Sequence, residues 1–69
     1  MSDLKISLAA ARVNAEMSQT QVAQALHVSR QTIVNWESGR TAPSYASLEA
    51  MARLYSIPID NIFLPVEST

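Results

Sequence analysis

Three polar side chains with paired hydrogen-bonding groups occur close together in the stretch "RQTIVNW". Arg30, Gln31 and Asn35 stand at positions i, i+1 and i+5, a spacing that places them on one face of a helix. The opposite face carries Ile33 and Trp36. Arginine can form two hydrogen bonds to guanine, and glutamine or asparagine can do the same with adenine. The pattern therefore predicts a helix that contacts base edges, and the alternative is a solvated polar face.

Two serine-capped helices must hold this face in place. Ser18 can cap the first, with Gln21 as the capping-box partner three residues later, and Ser29 can cap the second. The second helix is expected to end near Gly39, the only glycine in the chain, because a left-handed residue commonly terminates a helix. Isolated helices shorter than about 12–15 residues are marginal in water, so neither is stable alone.

The connection between these two helices is short. The triplet "HVS" alone separates the two helical patterns. We expect a connection of this length to force a steep crossing, with contacts through Ala23, Val28 and Ile33. The second helix then keeps its outer face free. This is the helix-turn-helix arrangement, in which the second helix enters the major groove of DNA.

The remainder of the chain is also predicted to be helical, with no strand alternation. A first helix begins at Ile6-Ser7, with Ser7 as its cap, and Ser44 caps a fourth, "YASLEAMARLY". The stretch "SIPIDNIFLP" gives a turn and a short fifth helix. The expected fold is thus an all-α, compact five-helix domain. Its predicted core positions are Leu8, Ala11, Val13, Ala15, Val22, Ala23, Leu26, Ile33, Trp36, Leu48, Met51, Ala52, Tyr55, Ile59, Ile62 and Phe63.

Length and composition set limits on the class of protein. The 69 residues, 48% of them apolar and 16% charged, are expected to form a single domain over residues 1–69, with a frayed tail at 66–69. With no cysteine and one histidine, no metal site is expected. No apolar run approaches the ~18 residues of a membrane span, and the start is not a secretory signal, so a cytoplasmic location is expected. No catalytic constellation or phosphate loop occurs, so we expect no enzyme, no cofactor and no small-molecule ligand.

The charge distribution bears on the partner. A net charge of −1 argues mildly against nucleic acid, which favours basic surfaces. Between residues 18 and 47, however, the charged residues are Arg30, Glu37 and Arg40. The acidic excess lies toward the two ends, at Asp3, Glu16, Asp60 and Glu67. A locally positive face on a slightly acidic chain is therefore expected.

The chain resembles the Cro and phage-repressor type of helix-turn-helix family from about residue 6 to residue 64. The matching features are Gln19 at the start of the second helix, Ala23 at the close helix contact, Val28 in the turn and Ile33 in the third helix. The stretches "NWESGR" and "PSYASLEAMARLYSIPIDNIF" continue the match. The resemblance implies a lambda-repressor-like fold and a sequence-specific regulator, typically a repressor, that binds double-stranded DNA as a homodimer on a palindromic operator.

The resemblance also implies roles for individual residues. The family residue that matches Gln19 touches a phosphate and steadies the recognition helix, and the loop that matches Ser38 and Arg40 contacts the DNA backbone. Arg12 and Glu37 resemble a pair that ties the first helix to the end of the third. With the polar face described above, the candidate DNA-binding residues are Gln19, Ser29, Arg30, Gln31, Thr32, Asn35, Ser38 and Arg40.

Some residues allow two interpretations. His27 stands where the family usually has glycine, because the turn adopts positive φ; histidine is tolerated there at a cost of order 1 kcal/mol. Trp36 could stack on single-stranded nucleic acid, but its register with Ile33 favours the core. Thr32 could cap the third helix internally or touch a phosphate.

Other functions would carry the same motif. The antitoxin of a toxin–antitoxin pair and a restriction controller both fit the resemblance. A protein-interaction module that keeps the fold without binding DNA is the alternative from another class, and the acidic pI of about 5.6 is compatible with it.

Overall fold

The computed structural model describes residues 5–64, and the tail expected at residues 66–69 lies outside them. Its elements, in order, are β1 (Ile6–Ser7), α1 (Leu8–Asn14), α2 (Gln19–Leu26), α3 (Arg30–Ser38), α4 (Tyr45–Tyr55), a 3-10 helix (Ile59–Asn61) and β2 (Ile62–Phe63). None of the helices formed by residues 5–64 has the length and apolar character needed to cross a membrane. The predicted all-α helix-turn-helix class is confirmed, whereas the count of five helices is not.

Every α-helix begins at a serine. The hydroxyl oxygens of Ser7, Ser18, Ser29 and Ser44 each accept the backbone N–H three residues later, at 3.0 to 3.1 Å. Gln21 Oε1 also accepts the backbone N–H of Ser18 at 2.8 Å, which completes the capping box. All four predicted caps are confirmed.

Every α-helix is followed within two residues by a residue with positive φ. These residues are Glu16, His27, Gly39 and Ser56, with φ of 59°, 61°, 86° and 59°. At the end of α2, for example, the Val28 N–H donates to the Ala23 carbonyl at 2.9 Å, as in a Schellman motif. The left-handed conformations predicted at His27 and Gly39 are confirmed. Glycine adopts this conformation at least cost, so the three other residues are held in it at some expense of stability.

One apolar core lies between the helices. Its buried members are Leu8, Ala11, Val22, Ala23, Ile33, Trp36, Met51, Ala52, Tyr55 and Ile62. The prediction that Val13 is buried is wrong: it is 62% exposed, because two residues of helix place it on the face opposite Ala11. Four further predicted positions are partly buried against the core: Ala15, Leu26, Leu48 and Ile59. The side chain of Phe63 lies outside the described part of the chain.

The predicted fifth helix is replaced by a 3-10 helix and a strand. β1 and β2 form a parallel pair, with Ile6 opposite Ile62 and Ser7 opposite Phe63. Ile6-Ser7 is therefore a strand rather than the start of α1. Residues 59–64 lie between two prolines and include two β-branched isoleucines, so a stable α-helix has neither the length nor the composition to form there.

The pair α2 and α3 makes the most extensive contact between any two elements. Val22, Ala23, Ile33 and Trp36 are buried on their inner faces. Each helix is too short to be stable alone. The packing of α2 against α3 and α4, and of α3 against α2 and α1, supplies the stability that local helix propensity does not. The outer face of α3 remains at the surface.

Candidate nucleic-acid interface

The outer face of α3 carries the three polar residues predicted to contact bases. Arg30 and Gln31 are exposed and Asn35 is half-buried. On the opposite face, Ile33 is 0% exposed and Trp36 is 8% exposed. The spacing argument for one polar and one apolar face is therefore confirmed, and Trp36 is a core residue.

Gln31 and Asn35 are joined by a hydrogen bond. Gln31 Nε2 donates to Asn35 Oδ1 at 3.0 Å across one turn of α3. This leaves the Gln31 carbonyl oxygen and both Asn35 N–H groups with free hydrogen-bonding capacity. An adjacent acceptor and donor pair is the pattern that the major-groove edge of adenine complements.

Arg30 is held from outside its own helix. Arg30 Nη2 donates to Gln19 Oε1 at 3.0 Å. Gln19 Nε2 in turn donates to Glu37 Oε1 at 3.0 Å. Gln19 is the first residue of α2. Its side chain is hydrogen-bonded to one residue at each end of α3, Arg30 at the start and Glu37 near the end.

An ion pair lies behind this connection. Arg12 Nε donates to Glu37 Oε2 at 2.7 Å, and Arg12 Nη2 to Glu37 Oε1 at 3.3 Å. A third bond runs from Arg12 Nη1 to the Met17 carbonyl at 3.0 Å. The Arg12 and Glu37 side chains are 15% and 9% exposed. The predicted pair between α1 and the end of α3 is thus present.

Charge and burial raise the pKa of two side chains in this region, Arg12 and Tyr55. The hydrogen bonds that Arg12 donates to Glu37 raise the pKa of Arg12, so the guanidinium is positive throughout the range in which proteins fold. Burial, and secondarily the Glu37 charge, raises the pKa of Tyr55 to about 12. The Tyr55 hydroxyl is buried and has no hydrogen-bond partner within residues 5–64.

Two candidate residues make local contacts at the start of α3. Ser29 Oγ accepts the Thr32 backbone N–H at 3.1 Å and lies 2.9 Å from Thr32 Oγ1. The first bond confirms Ser29 as the cap of α3, and the second joins the Thr32 hydroxyl to that cap. Ser29 is exposed and Thr32 is partly so, and both lie in the first turn of α3 with Arg30.

The last two candidates follow the other end of α3. Ser38 Oγ donates to the Asn35 carbonyl at 3.2 Å, and the Arg40 backbone N–H donates to the same carbonyl at 3.0 Å. Both residues are exposed. Gly39, in the left-handed conformation, ends α3, and the first residues of the following loop remain hydrogen-bonded to the last turn of the helix.

The bond from Gln19 to Glu37 is among the contacts that the sequence did not predict. Through this bond, the Arg12–Glu37 pair implied by the resemblance is continuous with Gln19 and Arg30. No sequence signal marks this contact, because Gln19 and Glu37 lie in different helices and neither belongs to a spacing pattern with the other.

The fold and the polar face of α3 define a helix-turn-helix domain. Comparison with known proteins agrees: the family model described as helix-turn-helix matches residues 8–62. The chain belongs to this Cro/C1-type helix-turn-helix family, whose members are DNA-binding transcription regulators and not enzymes.

A curated relative has the same class of domain. The chain is 37% identical over 51 residues to the HTH-type transcriptional activator BcrR of Enterococcus faecalis. The aligned region covers 74% of this chain and 25% of the relative, so the chain spans about a quarter of the relative's length. The comparison with solved structures gave no match.

Proposed function

We propose that this domain binds a palindromic operator in double-stranded DNA as a homodimer, with α3 of each protomer in the major groove, and that it regulates transcription by repression. The observation that carries the proposal is the polar row of exposed Arg30 and Gln31 and half-buried Asn35, on a helix whose other face is in the core. These are the side-chain types that pair with guanine and adenine edges.

The local charge supports DNA rather than a protein as partner. Glu37 is the only acidic residue between positions 18 and 47, and Arg12 neutralises it. Arg30 and Arg40 therefore give the α3 side of the domain a positive charge although the whole chain is slightly acidic. Two arginines per protomer would give a dimer a slope of log affinity against log salt of about −3 to −4.

The proposed dimer surface lies at the end of α4, away from the base-contacting residues. A shallow groove there is lined by Glu49 and Arg53 of α4 and by Ile57 and Pro58 after it. Two copies that share this surface would present two α3 helices to successive major grooves, as recognition of a palindrome requires. Protein-to-duplex stoichiometry on a palindromic site, measured by sedimentation, is expected to be two to one; one protomer per site at saturation would contradict the dimer.

Repression is proposed as the mode of regulation because occupancy of an operator is sufficient for it. Activation requires a further surface that contacts the transcription machinery. The relative from Enterococcus faecalis is named an activator, so activation is the alternative outcome. A reporter gene placed downstream of the selected operator, with and without the protein, distinguishes the two.

The test of DNA binding begins with selection of a preferred site from random duplexes. Gln31→Ala and Asn35→Ala are each expected to cost about 1–3 kcal/mol on that site and to relax selectivity at one position per half-site. Arg40→Ala is expected to weaken binding to all sequences alike and to reduce the salt slope by about one charge per protomer. Gln24→Ala, on the exposed surface of α2, is the matched control and is expected to leave both quantities unchanged.

The outcome that overturns this proposal is equally specific. If no duplex is enriched, or if Gln31→Ala and Asn35→Ala leave the ratio of specific to random binding unchanged, α3 does not select sequence. An affinity for a protein that does not depend on salt would then favour the interaction-module interpretation.

A further inference from the structure

We propose that two copies of this chain associate through their α4 helices in an antiparallel pair, with Tyr45 of each copy inserted into the groove at the far end of the other copy's α4. This inference rests on the proposed function, since it specifies the surfaces of the proposed homodimer, and the family resemblance does not give them. It follows from the order of apolar and charged residues along one face of α4.

Tyr45 is the first residue of α4, and its ring lies largely in water. The residue is 67% exposed, and the comparable apolar side chain on residues 5–64 is Val13 of α1, which is 62% exposed. Tyrosine is enriched in protein interfaces because its ring buries a large apolar area while its hydroxyl stays near water. The start of α4 is therefore a surface that a protein partner can cover.

An apolar groove lies at the other end of α4. Ala52 of the helix and Ile57, Pro58 and Ile59 after it supply its apolar lining, and its volume of about 480 Å³ is ample for an aromatic ring. A helix rises 1.5 Å per residue, so Tyr45 and Ile57 are separated by about 18 Å along the axis. A tyrosine side chain does not span this distance, so the ring that enters the groove must come from a second copy.

The charged residues between the ring and the groove lie on the same side of α4. Tyr45, Glu49, Arg53 and Ser56 follow one another at intervals of four, four and three residues, which is the spacing of one helical face. All four are exposed, and Glu49 and Arg53 also line the groove. The face thus carries, in order, an aromatic ring, a negative charge, a positive charge and the groove.

A two-fold axis through the middle of this face, level with Met51, makes the face complementary to itself. Glu49 stands two residues before that level and Arg53 two after it, so each Glu49 lies opposite the partner's Arg53. Tyr45 and Ile57 stand six residues before and after it, so each ring lies opposite the partner's groove. One axis therefore brings two ion pairs and two ring-to-groove contacts into register, as an isologous interface requires.

The same face favours the antiparallel arrangement over a parallel one. In a parallel pair, each Glu49 would lie opposite the partner's Glu49 and each Arg53 opposite the partner's Arg53, and both contacts repel. Ala46 and Ser56 stand five residues on either side of the axis, and both are exposed and small. The two helices can therefore approach closely where the charges do not meet.

The dimer is expected to be weak in the absence of DNA. A stable interface contains roughly 20–30 residues on each side, which is more than one face of α4 and one groove supply. We expect a dissociation constant of roughly 10 μM to 1 mM for the free chain. A palindromic duplex would hold the two copies close together and so complete the association.

Reversal of one charge tests the proposed register. Glu49→Arg places two positive charges at each ion-pair position, and Arg53→Glu places two negative ones. In sedimentation equilibrium without DNA, each variant alone is expected to associate about tenfold more weakly than the wild type. An equimolar mixture of the two variants is expected to recover the association, because every reversed residue then meets an opposite charge in the other variant.

Substitution of the ring tests the groove contact. Tyr45→Ala is expected to weaken association at least about tenfold, since each dimer loses two buried rings, whereas Tyr45→Phe keeps the ring and is expected to associate like the wild type. Val13→Ala is the matched control, because it removes a similarly exposed apolar side chain from α1. It is expected to leave association unchanged, and the emission of the buried Trp36 checks that every variant is folded.

Three outcomes would overturn the inference: no self-association at millimolar protein, a mixture of the charge variants that associates no better than each alone, or equal effects of Tyr45→Ala and Val13→Ala. In each case the α4 face would be left to a different protein. Failure of the proposed function would appear separately, as the absence of an enriched duplex in the selection experiment with the unaltered chain.

Discussion

Removal of either partner of the Arg12–Glu37 pair is expected to destabilise the domain severely. Glu37→Ala leaves the Arg12 guanidinium with a single protein acceptor, the Met17 carbonyl, in a site where 15% of the arginine side chain is exposed. Breaking a fully buried pair costs about 3–5 kcal/mol and losing an exposed one about 0–1 kcal/mol. Because both side chains are mostly but not completely covered, we expect about 2–3 kcal/mol for each single substitution.

This magnitude is large for so small a domain. A stability of about 0.05–0.15 kcal/mol per residue gives roughly 3–10 kcal/mol for a chain of this size. The double variant Arg12→Ala/Glu37→Ala strands neither charge, so its loss is expected to fall about 1–2 kcal/mol short of the sum of the single losses. Arg12→Lys is expected to be intermediate, because an ammonium keeps the charge and cannot make the two-pronged contact.

Urea unfolding followed by the fluorescence of Trp36 measures these losses directly. Trp36 is the single tryptophan and is buried, so its emission reports the core. With a denaturant slope of about 1 kcal/mol per molar urea, each single substitution is expected to lower the midpoint by about 2–3 M.

A second cycle provides the control. Glu49 and Arg53 are exposed, carry opposite charges and stand one helical turn apart on α4, so their coupling is expected to be about 0–0.5 kcal/mol. All variants are compared at a protein concentration where the domain is monomeric. Small, additive losses at Arg12 and Glu37, similar to those of the control pair, would refute the reasoning from burial.

Further predictions concern three single positions, Tyr55, His27 and Ser29. Tyr55→Phe removes a buried hydroxyl that has no partner within residues 5–64, and is expected to raise the free energy of unfolding by about 1 kcal/mol in urea titrations. Because the pKa of Tyr55 rises from 10.0 to about 12 on folding, the unfolded chain loses this proton first, so wild-type stability is expected to fall between pH 10 and pH 12. An equally steep fall in Tyr55→Phe would contradict the assignment of this pH dependence to Tyr55. His27→Gly relieves a left-handed residue with φ of 61° and is expected to raise the thermal midpoint by an amount equivalent to about 1 kcal/mol, whereas His27→Ala is not. Ser29→Ala removes the cap of α3 and is expected to cost about 1 kcal/mol, with Ser38→Ala as the serine control that caps no helix start.

The sequence alone determined the local features of this protein. The serine caps and the left-handed helix ends at His27 and Gly39 depend on hydrogen bonds between residues three to five positions apart. Both partners of each bond therefore lie within one short stretch of the sequence, where residue type alone indicates the bond. The polar and apolar faces of α3 follow from helical periodicity, which also needs no tertiary information. The family resemblance rested on residue types at particular positions, such as Gln19, Ala23 and Ile33, and it is confirmed by the match over residues 8–62.

The tertiary structure decided what depends on residues far apart in the chain. The pairing of Ile6 with Ile62 joins the two ends of the described chain, and it makes an extended strand more favourable than the predicted fifth helix because the backbone groups of β2 find partners in β1. The contact of Glu37 with Gln19 likewise exists only because α2 and α3 pack together. Sequence periodicity shows which face of a helix is polar, but only the packing of α1, α2 and α3 determines which polar side chains meet. This packing joins Arg12 in α1 to Arg30 at the start of α3 through a series of hydrogen bonds.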